Sequence, residues 1–327
     1  MSTAIDQVIQ QVRTELAPLE PQREQILAAN RRDYLIATLG AGGGLLLAFI
    51  VMTAGARNPA PGFILGAVGF ITAIIFFIRA HSRASGFRQQ IKLLLVRRLL
   101  DAIQPGLHYD PAAGIPLPVF TAARLFSHSA DRYQVEDLIQ GRVGDTDVML
   151  SEIHAQYRST STDSKGNTTT SYHTFFRGLF MQADFHKHFR GTMRVMPNSG
   201  SFFGGLGRAL SAFRPFSSEQ LVRFEDTEFE QAFNVYGSDD IEARYILSPG
   251  MMRRILELRH RWNDEVRLSF FDSNVCIAIQ HRHNLFEPQL NRPVDCQQQL
   301  QQIAGEIRVC LDLVEDLNLN TRIWTKT

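Results

Sequence analysis

The sequence predicts an α+β protein: an N-terminal two-helix transmembrane hairpin, then a cytosolic domain with a mixed, largely antiparallel sheet covered by helices. Three observations carry that reading. Two uncharged apolar runs, Tyr34 to Thr53 and Ala60 to Ile78, each have about the length that a helix rising 1.5 Å per residue needs to cross a hydrocarbon core of roughly 30 Å. From about Tyr133 the apolar residues stop recurring every three or four positions and begin to alternate, with turn residues between the runs. Toward the C-terminus alternating and helical stretches interleave, the pattern of a sheet that carries helices. Of the 327 residues, roughly 230 lie beyond the tail and hairpin, enough for a real core.

The two runs read as spans because buried core helices are usually shorter and carry polar positions. They do not read as a cleaved leader. A charged tail of about thirty residues with Pro18 and Pro21 precedes the first run, and the second follows directly. Gly40 and Gly44, like Gly62 and Gly66, stand four apart, which places small residues on one helix face where two backbones can approach. Arg13, Arg23, Arg31 and Arg32 precede the hairpin and Arg79, Arg83, Arg88, Lys92, Arg97 and Arg98 follow it, whereas Arg57 alone lies between the spans. By the positive-inside rule both termini face the cytosol, in a multi-pass protein of the cytoplasmic membrane. With no ionisable group inside either run, ion conduction is not expected.

A net charge of +1 and a pI of about 7.8 give no sign of nucleic-acid binding. Cys276, Cys296 and Cys310 are too few for a disulfide framework or a zinc site, and reduced thiols suit the cytosol.

In chain order, residues 1–33 form an amphipathic cytosolic tail, with Ile5, Val8, Ile9, Val12, Leu16 and Leu19 at helical spacing. The hairpin is 34–78. A basic juxtamembrane helix follows at 79–104, with Phe87, Ile91, Leu95 and Leu99 on its apolar side. Residues 105–132 read as a Pro/Gly linker and domain boundary, and 133–327 as the cytosolic α+β domain. Within it, Tyr133–Arg142, Val148–Tyr157 and Tyr172–Asp184 are expected strands, and the polar stretch Ser159–Ser171 an exposed mobile loop. A strand ends near Phe224. Thr227 and Glu230 form a capping box, Ile241, Ala243, Tyr245 and Leu247 alternate as a strand, and Ser248 with Pro249 opens a helix. Val266–Phe270 and Val275–Ile279 form a hairpin, and Leu300 to Leu317 a final helix that covers the sheet or pairs with a second copy.

Three clusters offer chemistry. His186 with His188, and His281 with His283, would each share one strand face as metal ligands can, but no Cys or carboxylate joins them at ligand spacing. The carboxylates Glu225, Asp226, Glu228, Glu230, Asp239, Asp240 and Glu242, near Arg244, suit acid–base work or cation binding, or equally helix capping and surface pairing. Gly200–Phe216 mixes glycines, phenylalanines and arginines without a dinucleotide or P-loop pattern, and reads as a membrane-dipping loop or a lid.

The stretches TFFRGLFMQADFHKHFRGTMRVMP and VRFEDTEFEQAFNVYGSDDIEARYILSPGMMRRI, with LSFFDSNVCIAI and the FEP of Phe286–Pro288, resemble the bacterial membrane-protein family called domain of unknown function 3137. The resemblance implies a bacterial inner-membrane protein and brings no activity, cofactor or catalytic residue with it. No catalytic, cofactor-binding or metal-ligating residue is therefore assigned, and no cofactor. The reading is a binding or interaction domain anchored by two transmembrane helices, with membrane lipids met by the hairpin and the basic helix and a protein partner on the cytosolic side. Two alternatives stand beside it: a membrane-associated hydrolase or transferase using the acidic cluster at 225–242, and a lipid-sensing or membrane-remodelling protein. Oligomeric state is not legible.

Overall fold

The computed structural model describes residues 2–53, 60–185, 187, 189–198, 219–262, 265–281 and 283–317. The chain forms two compact units, one from residues 1–99 and 286–304 and one from 100–285 and the residues after 304. The loop at Arg57, the histidines His186 and His188 and the stretch Gly200–Phe216 lie outside the described residues.

The first unit is helical. α1 (Ser2–Leu16) buries Ile9, Val12 and Leu16, the apolar stripe of the tail. Pro18 confines the next residues to a 3₁₀ turn, Ala17–Leu19, and α2 (Glu20–Thr53) then runs unbroken through the first apolar run. α3 (Ala60–Ile103) continues from the second run through the basic helix without a break. The two pack antiparallel along their glycines. A Cβ on Gly44 would lie 3.1 Å from the Gly69 Cα, one on Gly62 3.1 Å from the Ala48 carbonyl oxygen, and one on Gly69 2.5 Å from that of Gly40. The four-residue glycine spacing thus marks the contact, with Gly69 as a member the pattern did not single out.

Beyond the apolar runs this unit is tied by charge. Asp33 is buried, with Arg83 donating to its Oδ2 at 3.2 Å and to Asn30 at 3.0 Å. Buried Lys92 donates to Glu287 at 2.6 Å, and Arg98 pairs with Glu15 at 3.0 Å. Arg23 donates to the Leu290 carbonyl at 2.8 Å, while Glu20 accepts both Arg23 and the Val294 amide. Several basic groups of the juxtamembrane helix are thus engaged by carboxylates, and Arg31, Arg32 and Arg79 remain exposed beside the apolar runs.

The second unit holds a nine-stranded sheet among the described residues, in the order β1-β2-β3-β4-β9-β8-β5-β7-β6. Its strands are β1 (Leu107–Asp110), β2 (Arg132–Val143), β3 (Thr146–Thr162), β4 (Thr168–Asp184), β5 (Met193–Pro197), β6 (Gln220–Val222), β7 (Phe233–Gly237), β8 (Val266–Phe271) and β9 (Asn274–Gln280). Every neighbouring pair is antiparallel. The helices are α4 (Leu117–Ala122), α5 (Thr227–Ala232), α6 (Asp240–Ile246), α7 (Pro249–Trp262) and α8 (Gln297–Asp316), the last of which enters both units. An aromatic core centres on Phe120, which meets Phe126, Tyr133, Phe176 and Phe180 at centroid distances of 5.2–5.7 Å, with Phe126 and Phe176 4.8 Å apart.

Three local expectations change. Ser159–Ser171 is not a loop over most of its length. The ladder of β3 and β4 continues to Thr162 opposite Thr168, because threonine's branched Cβ suits a pleated surface even where nothing is buried. Only 163–167 turn, with Asp163 accepting the Lys165 and Asn167 amides. Ile241–Leu247 is helical: Asp239 caps α6 by accepting the Glu242 amide at 2.9 Å, and Ala243, Ile246 and Leu247 are buried while Ile241 is 79% exposed. The cap of α5 is Asp226, one residue before Thr227, and Glu230 reaches back to the Phe224 amide at 2.8 Å. Ser248 and Pro249 do open α7, with the Ser248 hydroxyl facing the Met251 amide at 3.4 Å.

Candidate functional site

Five of the seven carboxylates of the acidic cluster are taken up by the fold. Asp226 and Asp239 are helix caps, Glu230 closes its cap from the other side, and Asp240 pairs with Arg244 four residues on at 2.9 Å. Glu242 accepts the amides of Arg190 and Gly191 at 3.1 and 2.7 Å, which anchors the approach to β5. Glu225 and Glu228 are exposed. These carboxylates do not converge on a cavity among the described residues.

A different place gathers polar groups. A groove of about 600 Å³ lies on β2, β3 and β4 where the chain leaves β9, and His281, His283, Glu152, Glu136, His154 and Arg177 are among its lining. Local backbone makes it. β2 carries a bulge between Glu136 and Ile139, with Asp137 at a φ of 62° and its carboxylate accepting the Tyr109 hydroxyl at 2.7 Å. On β4, Gly178 adopts a φ of 155°, and a Cβ there would lie 2.1 Å from the Ile279 carbonyl oxygen. That close approach lets the His281 amide donate to the Arg177 carbonyl at 3.0 Å as the chain turns over the sheet.

The departing segment is then pinned by two glutamates. Glu136 accepts the Asn284 side-chain amide at 2.8 Å, and buried Glu152 accepts the Leu285 backbone amide at 2.9 Å. His281 is not on a strand with His283, as the two-residue spacing suggested, because β9 ends at Gln280. The two rings still lie 5.2 Å apart. His281 Nδ1 sits 2.6 Å from the His283 carbonyl oxygen, which can only accept, so Nδ1 carries the proton and Nε2 the lone pair. Burial pushes the His281 imidazole down to about 4, which keeps it neutral in ordinary buffer. Its Nε2 makes no hydrogen bond and faces Glu152 Oε1 at 3.5 Å. On the neighbouring position of β3, burial and then Arg177 also lower the His154 pKa.

Two of the three thiols, Cys276 and Cys310, are buried and poorly placed as nucleophiles. Burial pushes Cys276 up to about 12 and holds Cys310 well above the ordinary thiol range. A second buried polar centre, Arg194 with Glu219, stands at the other end of the sheet. Arg194 Nε donates to Glu219 at 3.2 Å and Nη1 to the Arg124 carbonyl at 3.0 Å, while the Thr192 hydroxyl donates to the same carboxylate. It ties loop to strand.

Residues 174–319 match the family model described as protein of unknown function (DUF3137). Over that segment the chain is similar to the family. The matched segment contains β4 from residue 174 on, the strand β9 and residues 281–285 of the groove, while Glu136 and Glu152 lie before it. A search among curated proteins finds no match. Among solved structures the mycobacterial trehalose monomycolate transport factor A, TtfA, matches at 11% identity and a TM-score of 0.32, covering 66% of this chain and 95% of that one. Likeness at that level carries no argument about this chain.

Proposed function

We propose that the protein is anchored in the bacterial cytoplasmic membrane by α2 and α3, with both termini cytosolic, and that its α+β unit acts by binding a protein partner on the cytosolic side. The observation that carries the anchoring is exposure. In the most apolar stretches of α2 and α3 only 11% and 6% of residues are buried, and Leu39, Leu45, Phe49, Phe63, Phe70 and Phe77 are at least 57% exposed. A soluble protein does not leave so continuous an apolar surface to water, and lipid is the solvent that removes its cost. Exposed Arg31, Arg32 and Arg79 beside the runs favour the cytosolic side for the helix ends. Binding is favoured over catalysis because five of the seven carboxylates that suggested acid–base work are engaged as caps, pairs and backbone anchors.

Membrane vesicles washed with alkaline carbonate test the anchor. The full chain stays in the pellet and is released only by detergent. Release by carbonate alone would show a peripheral protein and overturn the proposal.

A further inference from the structure

The structure assigns a divalent transition-metal site, of the zinc class, to His281 Nε2 and Glu152 in the groove on β2, β3 and β4. Two acceptors face each other there in a buried place. His281 is 4% and Glu152 6% exposed, and their facing atoms are 3.5 Å apart with no hydrogen bond at the imidazole nitrogen. A lone pair and a carboxylate oxygen at that distance are stable together only with a proton or a cation between them.

The distance favours a metal ion. Two ligand atoms each about 2.0–2.1 Å from one tetrahedral zinc ion lie about 3.3–3.4 Å apart, and the separation here is 3.5 Å. The orientation agrees. A metal-binding imidazole normally gives its other N–H to a carbonyl or carboxylate, which fixes the ring and its tautomer, and His281 Nδ1 meets the His283 carbonyl oxygen at 2.6 Å. Glu152 is held in the same way, since Oε1 also accepts the Leu285 amide. The His283 ring is exposed, with its centroid 5.2 Å from that of His281; its ligand atoms do not lie within 4.8 Å of those of both His281 and Glu152, so a third protein ligand requires that ring to rotate inward, with water completing the set. Nearby Arg177 is occupied by Asn284 at 2.8 Å and so is turned to the segment that carries His283.

Trp262 supplies the readout. Its ring stacks near His281, 6.4 Å between centroids and 20° between planes, and it is one of two tryptophans. With Trp324→Phe as background, the full chain in detergent, stripped with chelator, is titrated with Co²⁺ and then with Zn²⁺. Co²⁺ is expected to quench Trp262 and to give visible d–d absorption, and Zn²⁺ to reverse both. Glu152→Gln, which keeps shape and loses the ligand charge, should weaken Co²⁺ binding by about 100-fold or more, beyond the loss usual for a supporting residue. Glu152→His, which restores a ligand without a carboxylate, should recover much of it. Should His281→Gln fail to fold by circular dichroism, this Glu152 pair still decides the question. No quenching in the parent protein, as expected if the two groups merely share a proton, would overturn the site. So would quenching unchanged in Glu152→Gln.

Discussion

Arg194→Ala lowers the melting temperature of the α+β unit by about 6–20 °C, from a loss of about 3–5 kcal/mol at about 2–4 °C per kcal/mol for a unit of this size. Both Arg194 and Glu219 are nearly inaccessible, with side chains 1% exposed. Removing the cation leaves a carboxylate buried, and also frees the Arg124 carbonyl that Nη1 satisfies, in a loop where Arg124 holds a φ of 50°. The double change Arg194→Met with Glu219→Leu keeps the volume and removes both charges. It is expected to recover most of the loss, because the cost comes from an unpaired buried charge and not from the missing pair. Thermal unfolding of the full chain in detergent, followed by circular dichroism, measures it. A double variant as unstable as the single one would contradict the assignment.

Gly178→Ala is the second large effect, at about 3 kcal/mol or more. The added methyl meets backbone and not a flexible side chain, the Ile279 carbonyl oxygen at 2.1 Å and the His281 amide nitrogen at 2.9 Å, and the φ of 155° is one that L side chains rarely adopt. The ladder from Gly178–Gln280 to Asp184–Asn274 fixes both strands, so neither can yield alone. Gly166 gives the contrast. It has a φ of 83° in the turn of the β3–β4 hairpin with nothing within 4 Å of a Cβ, and Gly166→Ala should cost only about 1 kcal/mol of conformational strain. Urea titration of both variants ranks them, and equal losses would show that the close approach at Gly178 is not rigid.

The hairpin, most strands and the last helix were legible because each depends on a pattern along a single stretch. An apolar run free of charge needs no partner to be recognised, and Val148–Tyr157 alternates whatever pairs with it. Ile241–Leu247 misled because a seven-residue helix fits alternation almost as well as its own period; Asp239, a capping residue just ahead, was the signal to weigh. Polar composition hid the distal β3–β4 ladder, since its stability comes from backbone pairing that side-chain hydrophobicity does not report.

The groove was not legible, because it brings Glu152 against a segment 133 residues away. Even so, the two buried ionic centres left a trace. Glu152 sits between Ser151 and Ile153 within an apolar strand, and Arg194 between Met193 and Val195. A charge embedded in such a run is a buried group awaiting its partner. The acidic cluster drew notice by density, yet density is what helix N-termini produce when each supplies its own cap and first-turn carboxylates.

Topology tests the account's central claim most directly. In a variant with Cys276, Cys296 and Cys310 replaced by alanine, Asn58→Cys lies between the spans and Lys165→Cys at the tip of the β3–β4 hairpin. A thiol reagent that cannot the membrane enter is added to intact cells, then to cells opened by detergent. The account predicts labelling at position 58 in intact cells and at position 165 only after opening. Labelling at 165 before the membrane is opened would contradict both the orientation and a cytosolic α+β unit.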